Sequence, residues 1–145
     1  MSDQNQVQVA LQRIYLKDLS FESPDPVGAF KSKWEPQVNL DMRNQSQKVE
    51  GDLFESTLEL TATVKVADKT TFIIEVEQAG IFMIKGIDGD QLKRVLGTFC
   101  MNVLFPYARE AIDSMCLKGS FPPLVLAPMN FEALYEQSLK SQNKD

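Results

Sequence analysis

The chain reads as an α+β protein: a four-stranded antiparallel sheet, with a long, proline-interrupted helix and a second C-terminal helix on one face. Three observations predict this. Apolar and polar residues alternate through most of the first half, from Val38 to Val76. Apolar residues then recur at spacings of three and four from Leu92 to Met115. Turn-forming residues punctuate the change. Strands first and helices second is the order of a sheet with its helices segregated to one side.

The first strand is expected in "VQVALQRIYLKDLSF", Val7 to Phe21, rich in β-branched and aromatic residues. Its alternation is imperfect: Ile14 and Leu16 lie on one parity, Tyr15, Leu19 and Phe21 on the other. A strand covered partly on both faces would read this way. "ESPDPVGAF" follows and predicts an irregular loop, because Pro24, Pro26 and Gly28 interrupt regular structure. After Trp34, "QVNLDMR" puts Val38, Leu40 and Met42 on one face against Gln37, Asn39, Asp41 and Arg43. "STLELTATVKV" repeats the pattern. "ADKT" marks a turn, and "TFIIEVEQAGIFMI" supplies the fourth strand, with Phe72, Ile74 and Val76 alternating with Ile73, Glu75 and Glu77. Gly80 is expected at a bulge or bend.

Past Gly89 the period becomes helical, with Asp90 as N-cap and Gly119 as the stop after Lys118. Within it, "NVLFPYAREAI" carries Pro106. Proline removes a helix hydrogen bond and disfavours helical geometry at the preceding residue. A break is therefore expected at Phe105, with Pro106 opening a new segment. "FPPLVLAP" cannot be helical, and Asn130 caps a last helix, "FEALYEQSLKSQ", with Phe131, Leu134, Tyr135 and Leu139 on one side.

A length of 145 residues suits one domain, 1–145, with frayed ends at about 1–7 and 140–145. The polar start shows no secretory signal, and no apolar run is long enough to span a membrane, so a cytoplasmic chain is expected. The sequon Asn44-Gln45-Ser46 is then a chance match. A net charge of −5 opposes nucleic-acid binding and leaves room for basic or unfolded cationic partners. Cys100 and Cys116 would stand about 24 Å apart on one helix, so both are expected as reduced thiols.

No histidine is present, which removes Ser-His-Asp and Cys-His nucleophile systems. With only two cysteines, no metal site is expected. Glu55, Glu59, Glu75 and Glu77 fall on polar strand parities, as solvated carboxylates do, and no phosphate loop or other cofactor motif is complete. What remains is apolar surface with adaptable methionines, suited to binding.

Four stretches together resemble the SecB family of bacterial protein-export chaperones: "RIYLKDLSFESP", "EVEQAGIF", "NVLFPYAREAI" and "GSFPPLVLAPMNFEALY". The resemblance runs from about Leu11 to Leu139. It implies a homotetramer, a dimer of dimers, that holds unfolded preproteins without ATP or other cofactor and passes them to the SecA ATPase. It places SecA binding at Asp18, Glu22, Ile73 and Glu75. Ile74, Val76 and Gln78 correspond to positions that influence assembly. The client groove between sheet and helices would use Trp34, Val38, Leu40, Met42, Leu134 and Leu139. Met101 stands where the family commonly has proline, Ile74 where some members have cysteine, and the tail lacks a long acidic extension. Two other classes compete: an adaptor binding one folded partner, and a carboxylate-dependent thioesterase-like enzyme.

Overall fold

A computed structural model describes residues 6–142. Its elements are β1 (Gln8–Glu22), α1 (Pro26–Lys31), β2 (Gln37–Glu50), β3 (Leu53–Val66), β4 (Lys69–Lys85), α2 (Gly89–Gly97), α3 (Phe99–Lys118) and α4 (Phe131–Gln142). The strands form one antiparallel sheet in the order β1-β4-β3-β2. The inner face of the central strands carries Leu58, Leu60, Ala62 and Val64 of β3 with Phe72, Ile74, Val76 and Phe82 of β4, all buried. Leu104, Ala108 and Ile112 of α3 complete that core. Fully burying one leucine of this kind contributes about 1.5–3 kcal/mol.

The uneven pattern of β1 has a cause other than two-sided cover. The pairing with β4 shifts between Leu11 and Arg13 and again between Leu16 and Asp18, leaving Gln12 and Lys17 as bulge residues. Each bulge adds one residue and resets the side-chain parity. Val9, Leu11, Ile14, Leu16, Leu19 and Phe21 therefore face Ile84, Phe82, Gly80, Gln78, Val76 and Ile74 in turn, all on the inner face. Gly80 itself is not bulged. Neighbours crowd it from two sides: a Cβ there would lie 3.0 Å from the Arg13 carbonyl oxygen of β1 and 3.2 Å from a Leu104 methyl of α3.

Three local expectations need correction. The segment after β1 contains α1, because Asp25 accepts from the Gly28 N–H at 3.1 Å and Pro26 sits at the helix start, where its fixed φ helps. The N-cap position of α2 is Asp88, which makes no side-chain cap bond, and Asp90 lies within the first turn. The long helix breaks at Thr98 (φ −123°, ψ −70°), not at Phe105. Pro106 lies inside a continuous α3. Both Pro106 and the Asn102 carbonyl it leaves unpaired are on the exposed side, where water can take the missing bond.

Lys118 and Gly119 end α3 as expected, and Asn130 caps α4 through its Oδ1, 3.0 Å from the Ala133 N–H. Helix α4 continues to Gln142, so residues expected to fray from Lys140 are helical there; 1–5 and 143–145 lie outside the described residues. At the other end, Gln6 and Val7 precede β1. Cys100 and Cys116 are free and buried, and burial pushes the Cys100 thiol up to about 12, so neither is a ready nucleophile.

The β3–β4 hairpin turns on Ala67 (φ 51°) and Asp68 (φ 64°), both left-handed as a two-residue hairpin requires. Alanine suffers a steric penalty in that region that glycine does not. Ala67→Gly should stabilise the protein by about 0.5–1 kcal/mol after glycine's entropic cost. A urea midpoint at or below that of the wild type would show that the turn is not strained.

Candidate functional site: an apolar cleft and an acidic sheet face

Sheet pleating sends alternate residues to opposite sides, so each strand contributes to two surfaces. On the inner side, beyond the core, an open cleft of about 440 Å³ lies between β2, α2 and α4. Met42, Leu96, Phe131, Leu134, Tyr135 and Leu139 form its apolar lining, with Asn44, Ser46 and Lys93 among its polar residues. Three of the six expected groove residues, Met42, Leu134 and Leu139, meet here. The other three lie outside this cleft. Val38 is 43 % exposed, Leu40 is half-buried, and both share the inner face of β2 with Met42. Trp34 stacks on Phe72 and Phe121, with ring centroids 6.4 Å and 5.9 Å apart, in an aromatic cluster that includes Phe21 and Phe30. Leu96, Phe131 and Tyr135 line the cleft without having been expected there. Tyr135 is legible as a helical neighbour of Leu139, whereas the position of Leu96 depends on how α2 packs.

On the outer side, Asp18, Glu22, Ile73 and Glu75 come together on one face. Glu22 pairs with Ile73, and Asp18 and Glu75 line a depression of about 130 Å³ with Asp41, Arg43, Glu59 and Glu77. The register sets Asp18, Glu77, Glu59 and Arg43 side by side across all four strands. Arg43, 3.7 Å from Glu59, and the charge of Lys17 acting on Glu77 offset that row of carboxylates in part. Like charges directly opposite one another are destabilising. Partial burial, then the hydrogen bond and charge of Glu59 and the charge of Asp18, push the Glu77 carboxyl up from its ordinary value. Glu59 and Glu77 are visible in sequence only as polar alternates, since their opposition depends on register.

Glu55 sits in the contrasting environment on the same face. Its side chain is 15 % exposed and accepts from Tyr15, from Lys17 at 3.2 Å and from Gln47 at 3.1 Å. The Tyr15 hydrogen bond leads in holding its carboxyl below the ordinary range, against the opposing effect of burial. In return, burial first and Glu55 second push the Tyr15 hydroxyl up to about 12. The cluster ties β1 to β3 and β2 across β4.

Ile74, Val76 and Gln78 are covered within the subunit, at 0 %, 1 % and 5 % exposure. Gln78 donates from Nε2 to the Tyr15 carbonyl at 3.1 Å, so it braces β1 from below. The exposed apolar residues of β1 are Leu11 and Leu16, and those of α3 are Phe99, Tyr107 and Leu117. No group of three or more potential metal ligands is found among the described residues, and no helix there is long and apolar enough to cross a membrane.

The two surfaces, a partly covered apolar cleft and a charged sheet face behind it, are those of a protein that binds. The family follows from the comparisons: residues 2–142 match the model of the preprotein translocase subunit SecB, and the chain belongs to the SecB family. The protein-export protein SecB of Hahella chejuensis is 57 % identical over 133 residues, covering 92 % of this chain and 84 % of that one. The protein-export protein SecB of Marinobacter nauticus is 53 % identical over 143 residues, covering 99 % and 87 %. Among solved structures, a Mycobacterium tuberculosis SecB-like chaperone in complex with a ChAD peptide from the HigA1 antitoxin superposes with a TM-score of 0.69. It is 17 % identical, over 83 % of this chain and 90 % of that one, and shows the shared fold. Family membership makes the chain a protein-export chaperone, not an enzyme, and neither the adaptor nor the thioesterase reading is favoured.

The two carboxylates Glu77 and Glu55 should respond to pH with opposite signs. The raised Glu77 favours the fold when protonated, and this contribution is lost as pH rises through its folded pKa. Glu77→Gln should therefore raise the thermal midpoint at neutral pH, with the gain fading below the ordinary glutamate value of about 4.3. Lowered Glu55 contributes above that ordinary value and loses its contribution as pH falls through its folded pKa. Glu55→Gln should lower the midpoint at neutral pH. Parallel shifts in the two variants would contradict the two environments.

Proposed function

We propose that the chain works in the cytoplasm as an ATP-independent holdase for unfolded preproteins, assembling as a homotetramer that hands clients to SecA. Family membership supports the export role. The observation that carries the binding mode is the cleft between β2 and α4, apolar in part and open to solvent. Client segments would lie along the inner face of β2, from Trp34 past Val38, Leu40 and Met42 to Leu134 and Leu139. Contacts of this kind tolerate many sequences, because they need apolar bulk more than specific hydrogen bonds.

SecA would dock on the opposite face, at Asp18, Glu22, Ile73 and Glu75, with Glu59 and Glu77 adding charge. A basic partner segment gains charge-assisted contacts there and relieves the repulsion between opposed carboxylates. Assembly would use the exposed apolar residues of β1 and α3. Ile74, Val76 and Gln78 would influence it from inside, by fixing the position of β1. The chain would act as one domain over 1–145.

Without ATP, stoichiometric protein should slow the refolding of a slow-folding preprotein several-fold; an unchanged refolding rate would remove the holdase reading. Glu75→Lys should weaken SecA binding about tenfold, near 1.4 kcal/mol, while subunit number and client binding stay as in the wild type. Equal SecA affinity for variant and wild type, read by titration, would take Glu75 out of the docking surface.

A further inference from the structure

Helix α4 forms one wall of the cleft, yet its hold on the rest of the subunit is uneven. Its N-terminal end is fixed: Asn130 caps it, and Phe131 is buried edge-on to Phe105 at 5.9 Å between centroids. Leu134 packs on the core. Beyond that point Ser138, Leu139 and Gln142 line the cleft. What grips the helix between its anchored and its open half is Arg94 of α2. Its Nη1 lies 3.0 Å from Glu132 Oε2 and its Nη2 lies 2.5 Å from Glu136 Oε1, two carboxylates one turn apart on α4. The guanidinium also sits 5.0 Å from the centroid of the Tyr135 ring between them.

The surroundings of Arg94 are built for this grip. Thr98 Oγ1 donates to the Arg94 carbonyl at 2.6 Å, which finishes the last turn of α2. Gly97 leaves room for the Tyr135 ring, since a Cβ at that position would lie 2.9 Å from a ring carbon. A planar guanidinium suits this position, because one side chain can stack on a ring and span two carboxylates. The point charge of lysine does not reproduce that.

We propose that Arg94 is a positioning residue for client binding, latching α4 to α2 beside the cleft so that the spacing of α4 from β2 is set by an ionic clasp around an anchor at Asn130–Phe131. The proposal rests on the holdase reading above. The three charged side chains are 40 %, 61 % and 50 % exposed, so each pair is weak and screened by salt. A clasp of that strength holds α4 in place when the cleft is empty and gives way to a bulky segment. Cleft width then adapts to the client without unfolding the helix anchor.

The test uses the full chain with spin labels at Ser46→Cys and Ser138→Cys, both on the cleft wall. Cys100 and Cys116 are buried, so labelling is confined to the new thiols, and dilution with unlabelled protein isolates distances within one subunit. Arg94→Ala should lengthen and broaden the distance distribution. Arg94→Glu combined with Glu132→Arg and Glu136→Arg, which reverses both pairs, should narrow it again, and high salt should move the wild type toward Arg94→Ala. Dissociation of an unfolded client should be several-fold faster from Arg94→Ala, with no comparable change in thermal midpoint. An unchanged distribution in Arg94→Ala overturns the latch. A changed distribution with unchanged client dissociation overturns the positioning role. Wild type that binds no unfolded client, while its label distances still respond to Arg94, overturns the holdase reading and leaves the clasp a structural feature.

Discussion

Everything in this molecule follows from the width of one helix. An α-helix with its side chains is about 10–12 Å across, and neighbouring strands lie about 4.8 Å apart, so a single helix covers little more than two strands. Helix α3 lies over β3 and β4, whose inner residues are sealed. The edge strands are left half-covered. On β1 this leaves Leu11 and Leu16 exposed despite their inward register, and on β2 it leaves Val38 exposed and Leu40 and Met42 half-buried. Apolar surface is thus kept along both margins of a well-packed core, in positions the fold itself cannot close. One margin is roofed by α4 and becomes the cleft.

The outer face answers to the same constraint with opposite chemistry. Among the described residues no helix lies over it, and its middle is polar, with Glu55, Thr57, Glu59, Thr61 and Thr63 of β3 beside Glu75 and Glu77 of β4, while Ile73 and Ile81 add apolar positions on β4. The two kinds of carboxylate there differ only in their neighbours. Glu55 gathers three donors and stitches strands together. Glu77 faces Asp18 on one side and Glu59 on the other and gains no comparable partner. The second arrangement is a local electrostatic cost carried by the folded subunit. In the proposed docking, a basic partner would remove this repulsion as well as add attraction.

How far the sequence speaks depends on which interactions are local. The alternation of β2 and β3 is direct because both run in continuous register with their neighbours over the apolar stretch. In β1 the two bulges displace the parity twice, and an edge strand with six inward apolar residues looks two-faced. Pro106 points to a helix break at Phe105, yet proline costs little where its missing partner carbonyl faces water. Thr98 breaks the helix through its backbone and Oγ1, and threonine gives no such signal in sequence. The last helix is legible from its cap and spacing. Its clasp is not, since Arg94 and Glu136 are 42 positions apart.

The dimensions of the cleft limit what it can do alone. At about 440 Å³ it falls in the size range of a small-molecule site and takes a few side chains of an extended polypeptide, never a folded domain. A folded client presents few consecutive apolar side chains in extended form, so exclusion of native proteins needs no recognition element beyond shape. The same small size means that one cleft contributes little affinity. On the holdase reading, retention must come from joining several clefts along one chain, where the second contact is intramolecular and overall affinity rises without any contact becoming stronger. Assembly is then part of the binding mechanism. The half-covered edge of β1 and the half-covered edge of β2 come from a single geometric shortfall, and the proposed function offers one to further subunits and the other to the client.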